Sequence, residues 1–361
     1  MKVALLHYWL TNVRGGEKVL AALAEMYPEA DVFTHALGCA MRDQVKVKGE
    51  GEQWNGHSVH ESFIASLPFG RRHPQAYLPL MPMATRALKL DGYDLIISSE
   101  SGPIKGIRKP AGARHICYCH TPMRYVWDMY DEYYRDAGLC GKLAMKLFTS
   151  YLRKEDLKSA ESVDQFVANS KFVADRIKRI YGRDSVVVHP PVDVDFFSSP
   201  FEHSNIRAIE QSSYYLFAGA NVKYKRLDLA EAACAKMGRR LVVAKDVSDE
   251  ELRSLYAGAK ALIFPGLEDF GIVPVEAQAS GTPVIAYGRG GVLETVVEGQ
   301  TGLFFNEQTE SSLCAAIETF ESRSWDPLKC KAQAARFSPE LFRENWACAL
   351  GVSSSRKSQR R

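Results

Sequence analysis

The stretch Phe264-Pro265-Gly266-Leu267-Glu268-Asp269-Phe270-Gly271-Ile272-Val273-Pro274-Val275-Glu276-Ala277, followed by Ala279-Ser280-Gly281-Thr282-Pro283-Val284-Ile285-Ala286, decides how this chain of 361 residues is read. Short apolar runs at 261–264 and 283–286 bracket a turn-rich loop and a helical segment, the signature of a strand, crossover helix and parallel strand. Glu268 and Glu276 would lie about 80° apart on one continuous helix, too far to act together. Proline is favoured at the first helical position, so Pro274 predicts a helix that starts there, with Glu268 in the preceding loop and Glu276 in the first turn. Both carboxylates are then expected at the carboxyl edge of a sheet, where open α/β domains bind ligands. Gly271 lets a phosphate approach the N–H groups that open the helix. Carboxylates at such an edge suit sugar hydroxyls. The residues alone equally allow Glu276 to cap its helix and Glu268 to be simply solvated.

The same alternation runs in both directions. Apolar runs that read as strands buried on both faces occur at 3–6, 31–34, 95–98, 115–118, 165–168 and 186–189, then at 214–218, 241–244, 261–264, 283–286 and 303–305. Helical segments between them predict parallel sheets with right-handed crossovers, and two such sets predict an α/β chain of two Rossmann-like domains. Ser198-Ser199-Pro200 and Ser204-Asn205 form a polar, turn-rich connection, so the boundary is placed near 205, giving domains 1–205 and 206–350. A last helix over 339–350, capped by Ser338, is expected to return to the N-terminal domain. The Ser, Lys and Arg of 351–361 predict a disordered basic tail.

Composition bounds the function. The formal charge of +3 leaves no single-sign field to argue for nucleic acid as a partner. The eight cysteines form no paired C-x-x-C knuckles, so neither a zinc site nor a disulfide scaffold is expected, and reduced thiols fit a cytosolic protein. Cys117 and Cys119 share one face of a strand without a second ligand pair. No run reaches the roughly 18 apolar residues of a membrane span. Residues 63–90 mix apolar and basic side chains and read either as a surface on an anionic membrane or as a packed Pro-rich loop. No G-x-G-x-x-G follows a strand with an acidic residue about 20 positions on, which argues against a dinucleotide oxidoreductase.

The Glu-x7-Glu stretch with Ser-Gly-Thr-Pro-Val-Ile-Ala resembles the signature of retaining GT-B glycosyltransferases of family 4. Gly15-Gly16-Glu17 resembles that family's N-terminal glycine loop, and Tyr224-Lys225-Arg226-Leu227-Asp228 its phosphate-binding segment. Gly290-Gly291-Val292-Leu293-Glu294 and Glu298-Gly299-Gln300-Thr301-Gly302 resemble loops of its C-terminal domain, so the resemblance covers about residues 1–350. Cys119-His120-Thr121-Pro122-Met123-Arg124-Tyr125 is similar to a branch of bacterial O-antigen and exopolysaccharide mannosyltransferases.

The resemblance implies two Rossmann-like domains facing each other across a cleft, the acceptor on the first and the nucleotide sugar on the second. It implies a donor such as GDP-mannose, a lipid-linked glycan acceptor, no metal or other cofactor, and a place in the cytoplasm or on the inner face of the plasma membrane. Carried over residue by residue, Lys225 and Arg226 would meet the leaving phosphate and Glu268 the donor hexose. Glu276 would hold the ribose, and Asp269, Phe270, Gly271, Ile272 and Val273 would line the donor. His120 would stand on the acceptor side, and Gly15 and Gly16 would allow close approach of substrate. The family usually carries an arginine five residues before the lysine, where this chain has Ala220. Two alternatives stay open: a sugar-nucleotide epimerase of the same architecture, and a non-catalytic nucleotide-sugar-binding module.

Overall fold

The computed structural model describes residues 1–11, 15–38, 45–48, 51–54, 56–199, 214–220 and 222–351, with backbone only at 45–48 and 51–53. The chain packs as two units, one formed by 1–188 with 347–351 and the other by 189–346.

Among the described residues the first unit is built on nine strands: β1 (Val3–His7), β2 (Asp31–Thr34), β3 (Val45–Lys48), β4 (Gly51–Trp54), β5 (His57–Glu61), β6 (Leu95–Glu100), β7 (Arg114–Cys119), β8 (Gln165–Ala168) and β9 (Ser185–Val187). They lie in the order β3-β4-β5-β2-β1-β6-β7-β8-β9. Pairing is parallel from β5 to β9 and antiparallel at β3–β4–β5. The apolar runs of β1, β6, β7 and β8 are buried almost throughout because helices cover both faces. β3, β4 and β5 were not foreseen, since Val-Lys-Val-Lys, Gly-Glu-Gln-Trp and His-Ser-Val-His-Glu are too polar to read as doubly buried strands. Helix ends follow side-chain chemistry: Ser170 Oγ accepts from the Val173 amide at 3.1 Å, and Gly182 closes the same helix in the left-handed region.

Beside this sheet the fully buried Lys105 ammonium sits between the carboxylates of Glu100, at 2.5 Å, and Asp156. Asp156 also accepts from Trp127 Nε1 at 2.8 Å and the Tyr181 hydroxyl at 2.9 Å. Burial alone would lower the lysine pKa, but the two carboxylates outweigh it and hold it well above its ordinary value.

Among the described residues the second unit carries five parallel strands, β10 (Tyr214–Ala218), β11 (Arg240–Ala244), β12 (Ala261–Phe264), β13 (Val284–Tyr287) and β14 (Gly302–Phe305), in the order β11-β10-β12-β13-β14. Alternation along β10 sends Tyr214 and Leu216 into one core layer and Tyr215 and Phe217 into the other. The units divide at Val188 and His189, upstream of the turn-rich connection. The reason is apolar: Val192, Val194 and Phe197 join the second unit's core, and the Val192 amide donates to Phe337 O at 2.9 Å. Helix Pro339–Ala349 forms, with Ser338 Oγ accepting from the Leu341 amide at 3.3 Å. Its end lies with the first unit, where Ala349 O and Leu350 O accept from Gln165 and Arg114. The expected tail lies outside the described residues, apart from Gly351.

Candidate active site

Strand order fixes where chemistry can gather. In the second sheet the chain leaves β10 to one side for β11 and returns to the other for β12, so the loops after β10 and β12 part at a topological switch point, where open α/β sheets bind ligands. Lys225 comes from the first loop and Glu268 from the second. Their charged groups meet at 3.1 Å, Nζ to Oε1, with both side chains mostly buried.

Glycines make the approach. Gly219, just past β10, has φ +137°, and a Cβ there would lie 2.7 Å from Lys225 Nζ. A Cβ on Gly266 would meet the Lys225 Cα and Tyr224 O at 2.8 Å each. Gly290 and Gly291 back the loop of Glu268, where added carbons would fall 2.5 Å from Glu268 O and 2.2 Å from Asp269 O. The Gly291 amide donates to Glu268 O at 2.9 Å. The Glu268 loop is thus held backbone to backbone.

The helix after Glu268 spans Ile272–Ala279, capped by Gly271 at φ +97°. It begins two residues before the start predicted from Pro274, so that proline is the third helical residue and Glu276 stands in the second turn. Proline fits there because its missing N–H is one that no helical carbonyl would take. Gly271 supplies no capping side chain, so the first amides of the helix depend on other acceptors.

The remaining residues expected to line the donor divide by what they expose. Phe270 is buried among His189 and Phe337, ring centroids 5.5 and 5.4 Å away, and Asp269 is buried as well, so these two offer mainly backbone. Ile272 and Val273 are half-buried. Buried Glu276 accepts from the Tyr256 hydroxyl at 3.2 Å, and burial together with that carboxylate pushes the phenol pKa up. Arg226, in the left-handed region at φ +57°, turns its guanidinium onto Asp228, with Nε to Oδ1 at 3.0 Å. That bond lowers the Asp228 pKa. Ala220 is exposed.

The first sheet has its own switch point between β1 and β6, which leave toward β2 and β7. There the Ser99 hydroxyl lies 2.8 Å from His120 Nε2 and 3.2 Å from His7 Nδ1. His7 Nε2 makes no hydrogen bond and faces Glu17 Oε1 at 3.7 Å. The coherent polarity puts a proton on His7 Nε2 toward the Glu17 carboxylate, has Ser99 donate to His7 Nδ1, and has His120 Nε2–H donate to Ser99. The Asn169 amide group anchors His120 by donating to its carbonyl at 3.0 Å. Burial lowers the His120 pKa to about 3, so the ring is neutral near pH 7. Gly16 closes the group: a Cβ there would lie 3.4 Å from His7 Cε1 and 3.5 Å from His120 Nε2. Gly15 opens the helix Gly15–Met26 beside it. His7 and Ser99 escaped the sequence reading. The signal was a polar residue at the carboxyl end of an otherwise apolar strand.

Models for two families match in tandem, Glycosyltransferase Family 4 over residues 13–196 and Glycosyl transferases group 1 over 207–337. This chain belongs to glycosyltransferase family 4. The family's curated relatives include a D-inositol 3-phosphate glycosyltransferase of Nocardioides sp., 28% identical over 46% of this chain and 45% of that protein. An alpha-1,3/1,6-mannosyltransferase of Dictyostelium discoideum is 35% identical over 26% of this chain and 24% of its own. The chain spans just under half the length of the inositol-phosphate enzymes it matches. Among solved structures, Anabaena HepE in complex with UDP and glucose superposes with a TM-score of 0.69 at 18% identity, covering 98% of this chain and all of HepE. That likeness establishes the GT-B class of fold, two parallel-sheet Rossmann-like domains. Among the described residues no three metal-ligating side chains converge, and no helix is long and apolar enough to cross a membrane.

Proposed function

We propose that this family 4 chain is a retaining hexosyltransferase that moves mannose from GDP-mannose onto a lipid-linked glycan. The observation that carries the reading is the Lys225–Glu268 pair at the switch point of the second sheet. Breaking the glycosidic bond of a nucleotide sugar builds negative charge on the pyrophosphate, and a fixed ammonium offsets that charge where it develops. In this structure the ammonium is balanced by Glu268. Donor pyrophosphate would take over that role and leave the carboxylate to accept hydrogen bonds from hexose hydroxyls. Amides at the start of helix Ile272–Ala279 would add donors to the phosphate, so the step needs no metal. Glu276 would hold the ribose.

On the first unit, neutral His120 would offer hydrogen bonds to the substrates rather than act as a strong base. The leaving phosphate would take the acceptor proton on the face from which it departs. A curated mannosyltransferase among the relatives supports the hexose. HepE's complex with UDP and glucose makes UDP-glucose the first competing donor.

A second reading rests on exposed Ala220, at the position where the family usually has arginine. With one phosphate-binding cation fewer, the chain would bind nucleotide sugars without turning them over. The test is incubation with a panel of radiolabelled GDP- and UDP-sugars and a membrane lipid extract, following label into the lipid phase. Transfer from GDP-mannose above all others is expected. Binding without transfer from any donor would favour the second reading.

A further inference from the structure

The longest helix of the first unit, Leu139–Glu161, buries Thr149, Leu152, Asp156 and Ala160 and turns the opposite face outward. On that outer face Leu139, Leu143 and Leu147 are 88%, 60% and 63% exposed, with Tyr151 a turn further on at 38%. Four-residue spacing keeps the three leucines within about 80° of arc, so they form one continuous stripe rather than scattered surface residues. Soluble surfaces rarely leave such a stripe uncovered.

Its borders are basic. Residues 139–154 contain Lys142, Lys146 and Lys154, with Arg153 turned onto Val126 O at 2.6 Å, and no acidic residue. The Lys142 and Lys146 ammonium groups are steadied 5.8 and 5.7 Å from the Tyr134 ring centroid, along one edge of the stripe. Beside this helix sits Met81–Arg86, tied to it by Arg86 and Glu155 at 2.5 Å, and it adds Met83, also exposed.

We infer that the Leu139–Leu147 face of this helix docks on an anionic lipid surface. Leucines enter the boundary between headgroups and acyl chains, while the flanking lysines meet lipid phosphates. A protein partner would be served by the leucines alone; the run of cations without an intervening acid is what selects an anionic bilayer. The exposed acidic residues Asp131, Glu132 and Asp136 belong to the preceding helix Tyr130–Asp136, whose Tyr134 borders Lys142 and Lys146, so acids stand beside that edge while the leucine-bearing segment 139–154 itself carries only cations. The surface would hold the chain where the proposed lipid-linked acceptor resides, and for that purpose it rests on the reading above. Lipid binding itself needs neither donor nor acceptor, so failure of transfer and failure of docking are separable.

The test is flotation of the full chain with vesicles of pure phosphatidylcholine or of phosphatidylcholine with phosphatidylglycerol, alongside light scattering of the free protein. Binding to the anionic vesicles is expected, weakened by salt. The pairs Leu143→Gln with Leu147→Gln, and Lys142→Gln with Lys146→Gln, should each reduce it on the order of tenfold or more, at about 1 kcal/mol per lysine for the second pair. Leu143, Leu147 and Lys146 are exposed and Lys142 is half-buried, so an unchanged thermal midpoint should accompany the loss. Binding no better to anionic than to neutral vesicles would overturn the inference. So would unaltered binding by the leucine pair, or a dimer that the leucine pair converts to monomer while lipid binding persists.

Discussion

The ammonium of Lys225 lies 3.1 Å from Oε1 of Glu268, although 43 residues separate the two positions in the sequence. Each is a counter-charge to the other. Lys225→Ala should therefore lower kcat by about 10²- to 10³-fold, the scale seen when one donor to a developing anion is removed. Glu268→Gln should weaken discrimination between donor sugars more than it slows the preferred one. Because the two groups touch, the double variant should cost less than the product of the single effects. Steady-state kinetics on all three variants decide this, and simple multiplicativity would show that the pair does not act as a unit.

Gly219→Ala keeps every charged group yet should approach the Lys225→Ala phenotype. The added carbon would fall 2.7 Å from Nζ, on a backbone at φ +137° that residues with a Cβ rarely adopt. Donor affinity by calorimetry should drop together with kcat. Retention of wild-type donor binding would mean that the ammonium can move aside without consequence.

Ser99→Ala cuts the link between His7 and His120 while leaving both rings in place. About 1 kcal/mol of stability should be lost with the hydrogen bonds. The larger effect should appear in kcat/KM, with Ser99→Thr restoring part of it. Equal activity in Ser99→Ala would show that His120 keeps its orientation through Asn169 and packing alone.

Acid sensitivity follows from histidines kept neutral by burial. Burial lowers the pKa of His35 and of His115 to about 4, and that of His120 to about 3. In the unfolded chain each ring returns to about 6.5, so below that pH the unfolded state binds more protons than the folded one. Stability present above about pH 6.5 should decline as pH falls toward 4, by about 1.4 kcal/mol per pH unit for each ring. Urea midpoints measured across this range test the slope. A midpoint flat between pH 6.5 and 4.5 would show that the rings titrate as exposed groups.

Lys105→Met should destabilise the first unit by about 3–5 kcal/mol, because it leaves Glu100 and Asp156 buried together without their shared cation. Denaturant titration would register this as a lower midpoint. Changing all three residues to apolar ones of similar volume should recover much of the loss.

What the sequence disclosed followed burial. Runs such as Tyr214–Ala218 and Ala261–Phe264 are covered on both faces, and a doubly covered strand can hardly be anything but apolar. β5 alternates buried and exposed side chains in a polar sequence, and nothing in it announces a strand. Glu268 was legible because it lies in a loop with Pro265, Gly266 and Gly271 directly after such a run, and Lys225 because it closely follows another such run in a segment that resembles a phosphate-binding one. His7 and Ser99 were not, because His7 is a single polar residue ending an apolar strand and Ser99 is one of three polar residues that close another, and only the parallel pairing that sets His7 opposite Ser99 gives them a shared purpose. Pro274 misplaced its helix by two residues because proline is tolerated anywhere in a first turn, not only at its first position.

The wall formed by Gly266, Gly290 and Gly291 leaves room for a hydrogen atom and no more. In a library of every single substitution, these positions would stand out as nearly immutable, while exposed Ala220, one step from Gly219, would accept most side chains. Attempts to breed new donor preference into this chain would therefore find their variation on the Ala220 side of the Lys225–Glu268 pair, with the crowded side acting as a fixed template.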